Sequence, residues 1–352
     1  MRLLVVILPV VLFVNIVAVL AQDEPDAVKH CLDTSMEPIA LADVEIDGTL
    51  FISSGDGTRA IRNPIPTPYV IAFSDHYRNF GSIGSFSPDG RWFAYYSGTS
   101  GWGNVTARNY SLNQLNFVDT YSGQQIFSVP VEKYIFFVSY SHPVRPWDTI
   151  DWLDNDTYII FPHTAFNNTD EIRFIDTDTQ REESYEGTLP VAMWLSPDRT
   201  HAISGGQIIN VTTDEILVED GDIINWLPDG SGYYIQTLEP SNTSIYNMDG
   251  VLRYSHDNHR VQVSQTGTFL AWPNTDITSF YILNTETGET IDLCLSGGSI
   301  MFSPDEGQAA IRTSPDGKRQ LWFVDTETWQ GTLTDANLPD RSLFVGWWNI
   351  SP

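Results

Sequence analysis

The sequence predicts an all-β protein built from a repeated antiparallel sheet. Two turn signatures recur along the chain in fixed order, and each is flanked by short apolar segments. The chain contains 25 glycines and 20 prolines, and its lysines are limited to Lys29, Lys133 and Lys318. Because Gly and Pro favour turns, and the abundant Thr and Tyr favour strands, this composition suits strands and turns better than helices.

The first signature is an apolar strand that runs into a Pro-Asp turn. Proline fixes the first corner of the turn, aspartate caps it and glycine takes the left-handed position. An apolar segment follows each copy, as expected for the returning strand. Clear copies occupy 85–90, 194–198, 226–230 and 301–305, and weaker ones occupy 152–156 and 263–267.

The second signature is an apolar strand followed by a polar turn of the Asp-Thr-x-Thr type. It predicts a hairpin, because Asp, Asn and Gly accept the backbone conformations that tight turns require. Each unit is therefore expected to be a four-stranded sheet, A–B–C–D, with the first signature at the A–B turn and the second at the C–D turn. The copies lie at 117–123, 174–180, 282–288 and 323–329, with looser ones at 209–214 and 246–250.

The two ends of the chain complement each other. Residues 347–352 repeat an A strand and stop at its proline, whereas residues 47–52 supply a turn and a B strand. A C-terminal strand that completes the N-terminal sheet gives seven units of the usual blade size. Repeated sheets with such a split unit resemble a β-propeller. Two units lack the proline turn, so six or eight blades are alternatives, as is a β-sandwich.

The Ser-Pro-Asp-Gly turns, from about residue 45 to the end, resemble the WD-repeat-like repeats of the propeller protein of the bacterial Tol system and its relatives. The resemblance implies the fold and little about activity, because such blades serve enzymes, scaffolds and binding proteins alike. The chain departs from the Tol protein in lacking a separate N-terminal α/β domain, which weakens any transfer of partners.

The N-terminus predicts export. Arg2 precedes an apolar run over residues 3–20, and the small Ala21 suits signal-peptide cleavage directly after it. A retained transmembrane anchor is the alternative. We expect a secreted or periplasmic protein with no membrane span after cleavage. The expected segments are a signal peptide (1–21), an N-terminal segment (22–44) and a propeller domain (45–352).

Two cysteines, Cys31 and Cys294, predict one disulfide in an oxidising compartment. The bond closes almost the whole chain, and loop entropy then stabilises the fold by roughly 4–5 kcal/mol. Two separate buried thiols are the alternative.

Charge and motifs exclude several function classes. A formal net charge of −27 opposes general binding of nucleic acid, whose phosphates require a positive field. The sequence holds no Gly-x-Ser-x-Gly elbow, no His-Glu-x-x-His and no phosphate-binding Gly-x-x-x-x-Gly-Lys. His256 and His259 are expected in a solvated loop, since further zinc ligands cannot be assigned. We expect no cofactor or metal; Ca²⁺ at the aspartates of 148–156 or 176–178 is the alternative, without EF-hand spacing.

Two long insertions predict a binding face. Antiparallel strands alternate in direction, so the A–B and C–D turns share one face and the B–C and D–A connections share the other. Insertions 99–114 and 132–148 both emerge on the second face, where long loops on a rigid scaffold commonly bind ligands. The alternative is that 134–138 extends strand D and that the tryptophans cover the rim. Aromatic and arginine side chains concentrate binding energy, and the predicted ligand-binding residues are Trp102, Arg108, Tyr110, His142, Arg145 and Trp147.

The leading hypothesis is an exported, monomeric, non-enzymatic propeller that binds a protein or carbohydrate partner through the face bearing loops 99–114 and 132–148. Its rival is an extracytoplasmic polysaccharide hydrolase or lyase with carboxylates at the central funnel. A scaffold subunit without a small ligand is the third hypothesis. The missing catalytic motifs favour binding, but propeller active sites assemble from distant loops, so the sequence leaves the choice between enzyme and binder open.

Overall fold

A computed structural model describes most of the chain from residue 26 onwards. Within the described residues, the regular structure consists of 28 strands and one 3₁₀ turn (Leu41–Asp43), which confirms the all-β class. The described ranges are 26–54, 57–62, 70–71, 84–102, 107–138, 152, 155, 157–160, 173–183, 194–198, 200–204, 206–218, 222–258, 260–274, 278–296, 298–314, 319–336, 338 and 342–350.

The strands in these ranges group into seven sheets, numbered here in chain order. Sheet 1 contains β28 (Leu343–Trp348), β2 (Thr49–Ser54), β3 (Gly57–Arg62) and β4 (Val70–Ile71). Sheet 2 contains β5 (Gly84–Phe86), β6 (Trp92–Trp102), β7 (Ala107–Asp119) and β8 (Gln124–Val138). Sheet 3 contains β9 (Thr157–Ile160), β10 (Arg173–Asp176) and β11 (Arg181–Glu183).

The remaining sheets follow the same order. Sheet 4 contains β12 (Trp194–Leu195), β13 (His201–Ser204), β14 (Gln207–Asn210) and β15 (Ile216–Val218). Sheet 5 contains β16 (Ile223–Trp226), β17 (Gly232–Thr237), β18 (Asn242–Asn247) and β19 (Leu252–His256). Sheet 6 contains β20 (Gln262–Val263), β21 (Phe269–Pro273), β22 (Phe280–Asn284), β23 (Thr290–Asp292) and β1 (Val28–Lys29). Sheet 7 contains β24 (Ser299–Phe302), β25 (Gln308–Thr313), β26 (Gln320–Asp325) and β27 (Gly331–Leu333).

Each four-stranded unit runs up and down in chain order, with antiparallel neighbours, which is the strand order of a propeller blade. Both turn signatures lie where the sequence predicts them. The weak copy at 263–267 also forms an A–B turn, in which the Ser264 hydroxyl accepts the Phe269 N–H at 2.9 Å. The C-terminal strand β28 pairs antiparallel with β2, from Thr49 opposite Trp348 to Ser53 opposite Leu343.

Apolar side chains join successive sheets face to face. Central strands such as β21, β22 and β26 are buried at consecutive positions, because both faces of these sheets are covered. The joining pairs are Phe51 and Phe93 (sheets 1 and 2), Phe117 and Trp152 (sheet 2 and the residue before sheet 3), Ile208 and Ile224 (4 and 5), Leu227 and Leu270 (5 and 6), Ile282 and Phe302 (6 and 7), and Phe323 and Trp347 (7 and 1).

Residues 26–48, called the N-terminal strap below, are part of this packing. Strand β1 pairs in parallel with β23, and Ile39 forms a parallel bridge with Thr334 just after β27. Val44 and Ile46 are buried in the cluster shared by sheets 7 and 1. The strap therefore covers the outer edges of sheets 6 and 7 before it enters the junction with sheet 1. The boundary at residue 44 stays a prediction, and the signal peptide lies outside the described residues.

The predicted disulfide is confirmed between Cys31 of the strap and Cys294 after β23. Their Cα atoms are 4.8 Å apart, and 263 positions of sequence separate them. Leu32 beside it is buried in the cluster of sheets 6 and 7. As to membranes, none of the helical structure in the described ranges is long and apolar enough to form a span.

A glycine in the A–B turn of sheet 2 fits closely against sheet 1. Gly90 has φ +74°, and a Cβ atom there would lie 2.4 Å from Cδ2 of Trp348 on β28. Gly288 in the C–D turn of sheet 6 has nearly the same φ, +75°, but a Cβ atom there would meet nothing within 4 Å. A substitution at Gly288 therefore tests backbone strain alone, whereas one at Gly90 tests backbone strain together with packing between sheets 1 and 2.

We predict that Gly90→Ala destabilises the protein more than Gly288→Ala. Both pay roughly 1–2 kcal/mol for a side chain in the left-handed region, but Gly90→Ala also pushes on Trp348, which adds roughly 1–3 kcal/mol. Urea denaturation of the two variants measures the difference. Equal losses would show that the turn of sheet 2 does not bear on β28.

We also predict that removing the disulfide by Cys31→Ser with Cys294→Ser lowers the free energy of unfolding by about 2–5 kcal/mol, because the unfolded chain regains the freedom of a closed loop. The measurement is denaturation of the variant and of the wild type with and without reductant. Reduced wild type is the matched control and should coincide with the variant. An unchanged midpoint in both would contradict the prediction.

Candidate functional site

The A–B turns share one hydrogen-bond pattern. In sheet 2, the Ser87 hydroxyl donates to Asp89 Oδ1 at 2.6 Å and accepts the Trp92 N–H at 2.9 Å. Asp89 Oδ1 also accepts the Arg91 N–H at 3.0 Å. The serine and aspartate thus satisfy the backbone of the turn themselves. The same serine-to-aspartate bond recurs between Ser196 and Asp198 and between Ser303 and Asp305.

The C–D turns are tied to the A–B turns of the same sheet. The Thr120 hydroxyl donates to the Gly90 carbonyl at 2.6 Å, and equivalent bonds run from Thr285 to Gly267 and from Thr326 to Glu306. Both turn types therefore lie on one face, as the sequence predicts; we call it the turn face. The first Asp or Asn of each C–D turn accepts backbone N–H groups two or three residues later, as at Asp119, Asp176, Asn210, Asn284 and Asp325.

Hydrogen bonds hold several turn carboxylates ionised. The Ser303 hydroxyl and then the Gly307 N–H lower the pKa of Asp305. The Thr328 hydroxyl and backbone likewise lower the pKa of Asp325. Asp47 is the exception, since burial and the charge of Asp305 raise its pKa. A glycosidase requires a carboxyl that stays protonated near its working pH, so Asp305 and Asp325 are turn-forming groups and do not suit that role.

The described residues contain no group of three or more metal-ligating side chains. His256 is not in the solvated loop that the sequence predicts: it ends β19 and is half-buried, with its ring 4.6 Å from the ring of Trp272. Burial lowers the pKa of His256, against an opposing effect of Asp257. His259 lies outside the described residues. The imidazole at 256 is therefore a packing residue of the interface between sheets 5 and 6.

A polar groove of about 620 Å³ opens on the turn face between sheets 5 and 6. Arg253 crosses it, donating to the Thr266 carbonyl at 3.0 Å and to the Ser231 hydroxyl at 3.5 Å. A register shift in β19 places Arg253 there, and a shift of this kind has no sequence signal. The groove is lined by Asp229, Ser231, Asn247, Arg253, Thr266, Thr268 and Glu286.

The predicted insertion loops are largely strands. β6 continues to Trp102 and β7 starts at Ala107, so the loop prediction for 99–114 is wrong outside 103–106. β8 continues to Val138, so 132–138 is also strand, which confirms the alternative that 134–138 extends strand D. Pairing between the strands satisfies the backbone of these segments. His142, Arg145 and Trp147 lie outside the described residues.

The paired extensions form an arm, defined as residues 97–102, 107–114 and 130–138. Its strands β6, β7 and β8 have 11, 13 and 15 residues, whereas the other strands in the described part of the chain have at most 6. Beyond the pairing with β5 at Tyr95, the extension is roughly 20 Å long at the usual rise per residue. β6 starts at an A–B turn and runs away from it, so the arm ends at the face opposite the turn face.

Strand register places three of the predicted binding residues on the same side of the arm. Trp102 is opposite Arg108, and Arg108 is opposite Phe137. Two pairs further on, Tyr110 lies between Ser100 and Ile135. Directly opposed positions share a face, and positions two residues apart share it too. Trp102, Arg108 and Tyr110 therefore occupy one face of the arm, and whether they bind a ligand stays a prediction.

Comparison with known proteins leaves the family open. No protein-family model matches the chain, and no curated protein matches it. Similar solved structures include TolB from Acinetobacter baumannii (12% identity, TM-score 0.41, 82% of this chain and 65% of that one). Others are the periplasmic gluconolactonase PpgL of Pseudomonas aeruginosa (13%, 0.42, 85% and 99%) and Hsv2p of Kluyveromyces lactis (14%, 0.37, 69% and 73%). The chain thus spans less than two thirds of the TolB chain, and no activity or partner is inferred from these neighbours.

The carboxylates of the turn face predict an acid-dependent loss of stability. Asp305 has a folded-state pKa below its unfolded value, so its stabilisation is present above about pH 4 and is lost as the pH falls through the folded-state pKa. Asp47 has the opposite sign, since its raised pKa means that its charge disfavours the fold at neutral pH. We predict that Asp305→Asn destabilises the protein at pH 7 and flattens the decline below pH 4.

Asp47→Asn is the matched variant, and its effect on stability should have the opposite sign: it should be more stable than the wild type at pH 7. Urea denaturation at pH 7 and pH 3 distinguishes the two. A lower free energy of unfolding at pH 7 in both variants would contradict the opposite directions assigned to the two pKa shifts.

Proposed function

We propose that the protein is an exported, seven-bladed β-propeller closed by its C-terminal strand, and that it binds a protein or glycan partner without catalysing a reaction. Ring closure is supported by the pairing of β28 with β2 and by the cluster that joins sheets 7 and 1. Export is supported by the Cys31–Cys294 disulfide, which persists in oxidising compartments, and by the apolar run at 3–20.

The arm is the observation that carries the binding proposal. A strand extension is a more precise platform than a loop, because pairing with neighbouring strands fixes its positions. One face of the arm holds Trp102, Arg108 and Tyr110, and the register adds Lys133 opposite Leu112 on that same face. Tryptophan, tyrosine and arginine are the residues that most often carry binding energy.

Charge narrows the partner. The chain has 45 acidic and 18 basic residues, so two basic residues on one face of the arm depart from the average composition. An ionised carboxylate on the partner forms charge-assisted hydrogen bonds with Arg108, and an aromatic position beside it suits a sugar ring or an apolar side chain. The partner is therefore a glycan that carries carboxylates, or an acidic protein surface.

We predict that Trp102→Ala with Arg108→Ala weakens partner binding by about tenfold or more, because each hot-spot truncation costs about 1 kcal/mol or more. The measurement is a glycan array together with affinity capture from the exported protein fraction, repeated with the variant. Thr99→Ala is the matched control, since Thr99 occupies the opposite face of the same strand.

Glycans or proteins that bind the wild type and the Thr99→Ala control, but not the double variant, support the arm as the binding site. Hits that the double variant retains would refute it as the binding site. Release of reducing ends from a polysaccharide by the wild type would overturn the non-enzymatic part of the proposal, since a binder leaves its glycan intact.

A further inference from the structure

The outer rim of sheets 4 and 5 exposes apolar side chains on the turn side. Ile216 and Leu217 of β15 are 44% and 36% exposed, and Val251 and Leu252 at the start of β19 are 60% and 52% exposed. We call these four residues the rim patch. Single exposed apolar residues are ordinary, but an apolar group with a polar border marks an interaction site.

The rim patch is continuous across the two sheets. A Cβ atom at Gly250 would lie 3.1 Å from Cδ1 of Leu217, so the C–D turn of sheet 5 lies directly against β15. Leu252 is opposite Tyr246 in the register, and Tyr246 packs against the core between sheets 4 and 5. Leu252 and Leu217 therefore border the same crease.

The same rim is covered in the next two sheets. In sheet 6, β1 of the strap pairs with the outer strand β23. In sheet 7, Leu32 and Ile39 of the strap lie against Gly331 and Thr334. Within the described ranges, β15 and β19 are the last strands of their sheets. In sheets 6 and 7, the chain therefore covers its own outer strands with an apolar segment, the strap.

The mode of contact in sheets 4 and 5 differs from that of the strap. Register shifts interrupt the pairing of β15 and of β19, whereas the pairs of β23 and β27 run without a shift. Such bulges disrupt the ladder at an edge and hinder strand addition. A partner on the rim patch therefore binds through side chains and not through a continuous β-ladder.

Acidic residues border the patch. Asp214 and Glu215 precede β15, Asp249 precedes Gly250, and all three are exposed. Together with the net charge of −27, they favour a positively charged partner and repel anionic surfaces. We propose that the rim patch binds a short apolar segment of a partner protein that is flanked by lysine or arginine, independently of the arm.

The test uses a synthetic peptide of alternating leucine and threonine with a lysine pair at each end, and a matched peptide with glutamate pairs. Fluorescence anisotropy with the full protein should show binding of the lysine peptide only, and added salt should weaken it. Leu217→Ser with Leu252→Ser should lower the affinity about tenfold or more, because the two side chains no longer bury apolar surface. Val251→Ser should also lower the affinity for the lysine peptide. Because Val251 lies outside the strands, this variant should leave the fold undisturbed.

Leu238→Ser is the matched control, since Leu238 is 51% exposed at the far end of β17 and should leave binding unchanged. The Trp102→Ala arm variant should also leave it unchanged, which separates this proposal from the proposed function. Equal binding of both peptides, no binding of either, or an equal loss in the control would overturn the proposal. Binding to phosphatidylcholine vesicles in place of the peptide would also overturn it, because the surface would then be a lipid site.

Discussion

The junction between the last and the first sheet is the constraint on which the rest of the fold depends. Here β28 from the C-terminus pairs with β2, and the strap inserts Val44 and Ile46 into the cluster of sheets 7 and 1. The indole N–H of Trp347 donates to the Asp47 carbonyl, which ties β28 to the strap. In the other sheets the antiparallel strands are consecutive in the sequence, and only sheet 6 adds a distant strand, β1, within the described residues. The pairing of the last strand with the first sheet, however, forms only when residues about 300 positions apart meet, as Trp347 and Asp47 do. Contacts of such high sequence separation slow folding.

The acid excess has a structural origin in part. Asp89, Asp198 and Asp305 accept hydrogen bonds in A–B turns, and Asp119 and Asp325 do so in C–D turns. These carboxylates have a role in building the turns, so their number says little about a partner. The charge is informative at two places. One is the arm, where basic residues interrupt the acidic composition, and the other is the rim patch, where acidic residues border exposed apolar side chains.

The sequence predicts those parts of the fold that rest on local chemistry. The Ser-Pro-Asp and Asp-Thr turns depend on short segments whose hydrogen bonds are self-contained, and the structure shows those bonds. The pairing of β28 with β2 is non-local, and it is predicted from the repeat pattern that the two ends of the chain share. The arm is different, because 107–114 is rich in Asn and Ser and becomes a strand only through pairing with β6 and β8. The strap is different too, since two residues of β1 carry no strand signal without the edge of β23. Arg253 reaches its groove through a register shift, which depends on the partner strand. Local sequence signals thus determine the repeated sheets, whereas the surfaces that distinguish one sheet from another depend on tertiary contacts.

The two candidate surfaces are mechanically separate. The arm rises from sheet 2 at the face opposite the turns, whereas the rim patch lies at the outer edge of sheets 4 and 5 on the turn side. Energetic coupling through a protein is carried by elements that have two discrete arrangements. Coupling between two sites requires a ligand to favour one of two states. Neither proposed surface calls for such a switch, so we expect a partner bound at one surface to leave the affinity of the other unchanged.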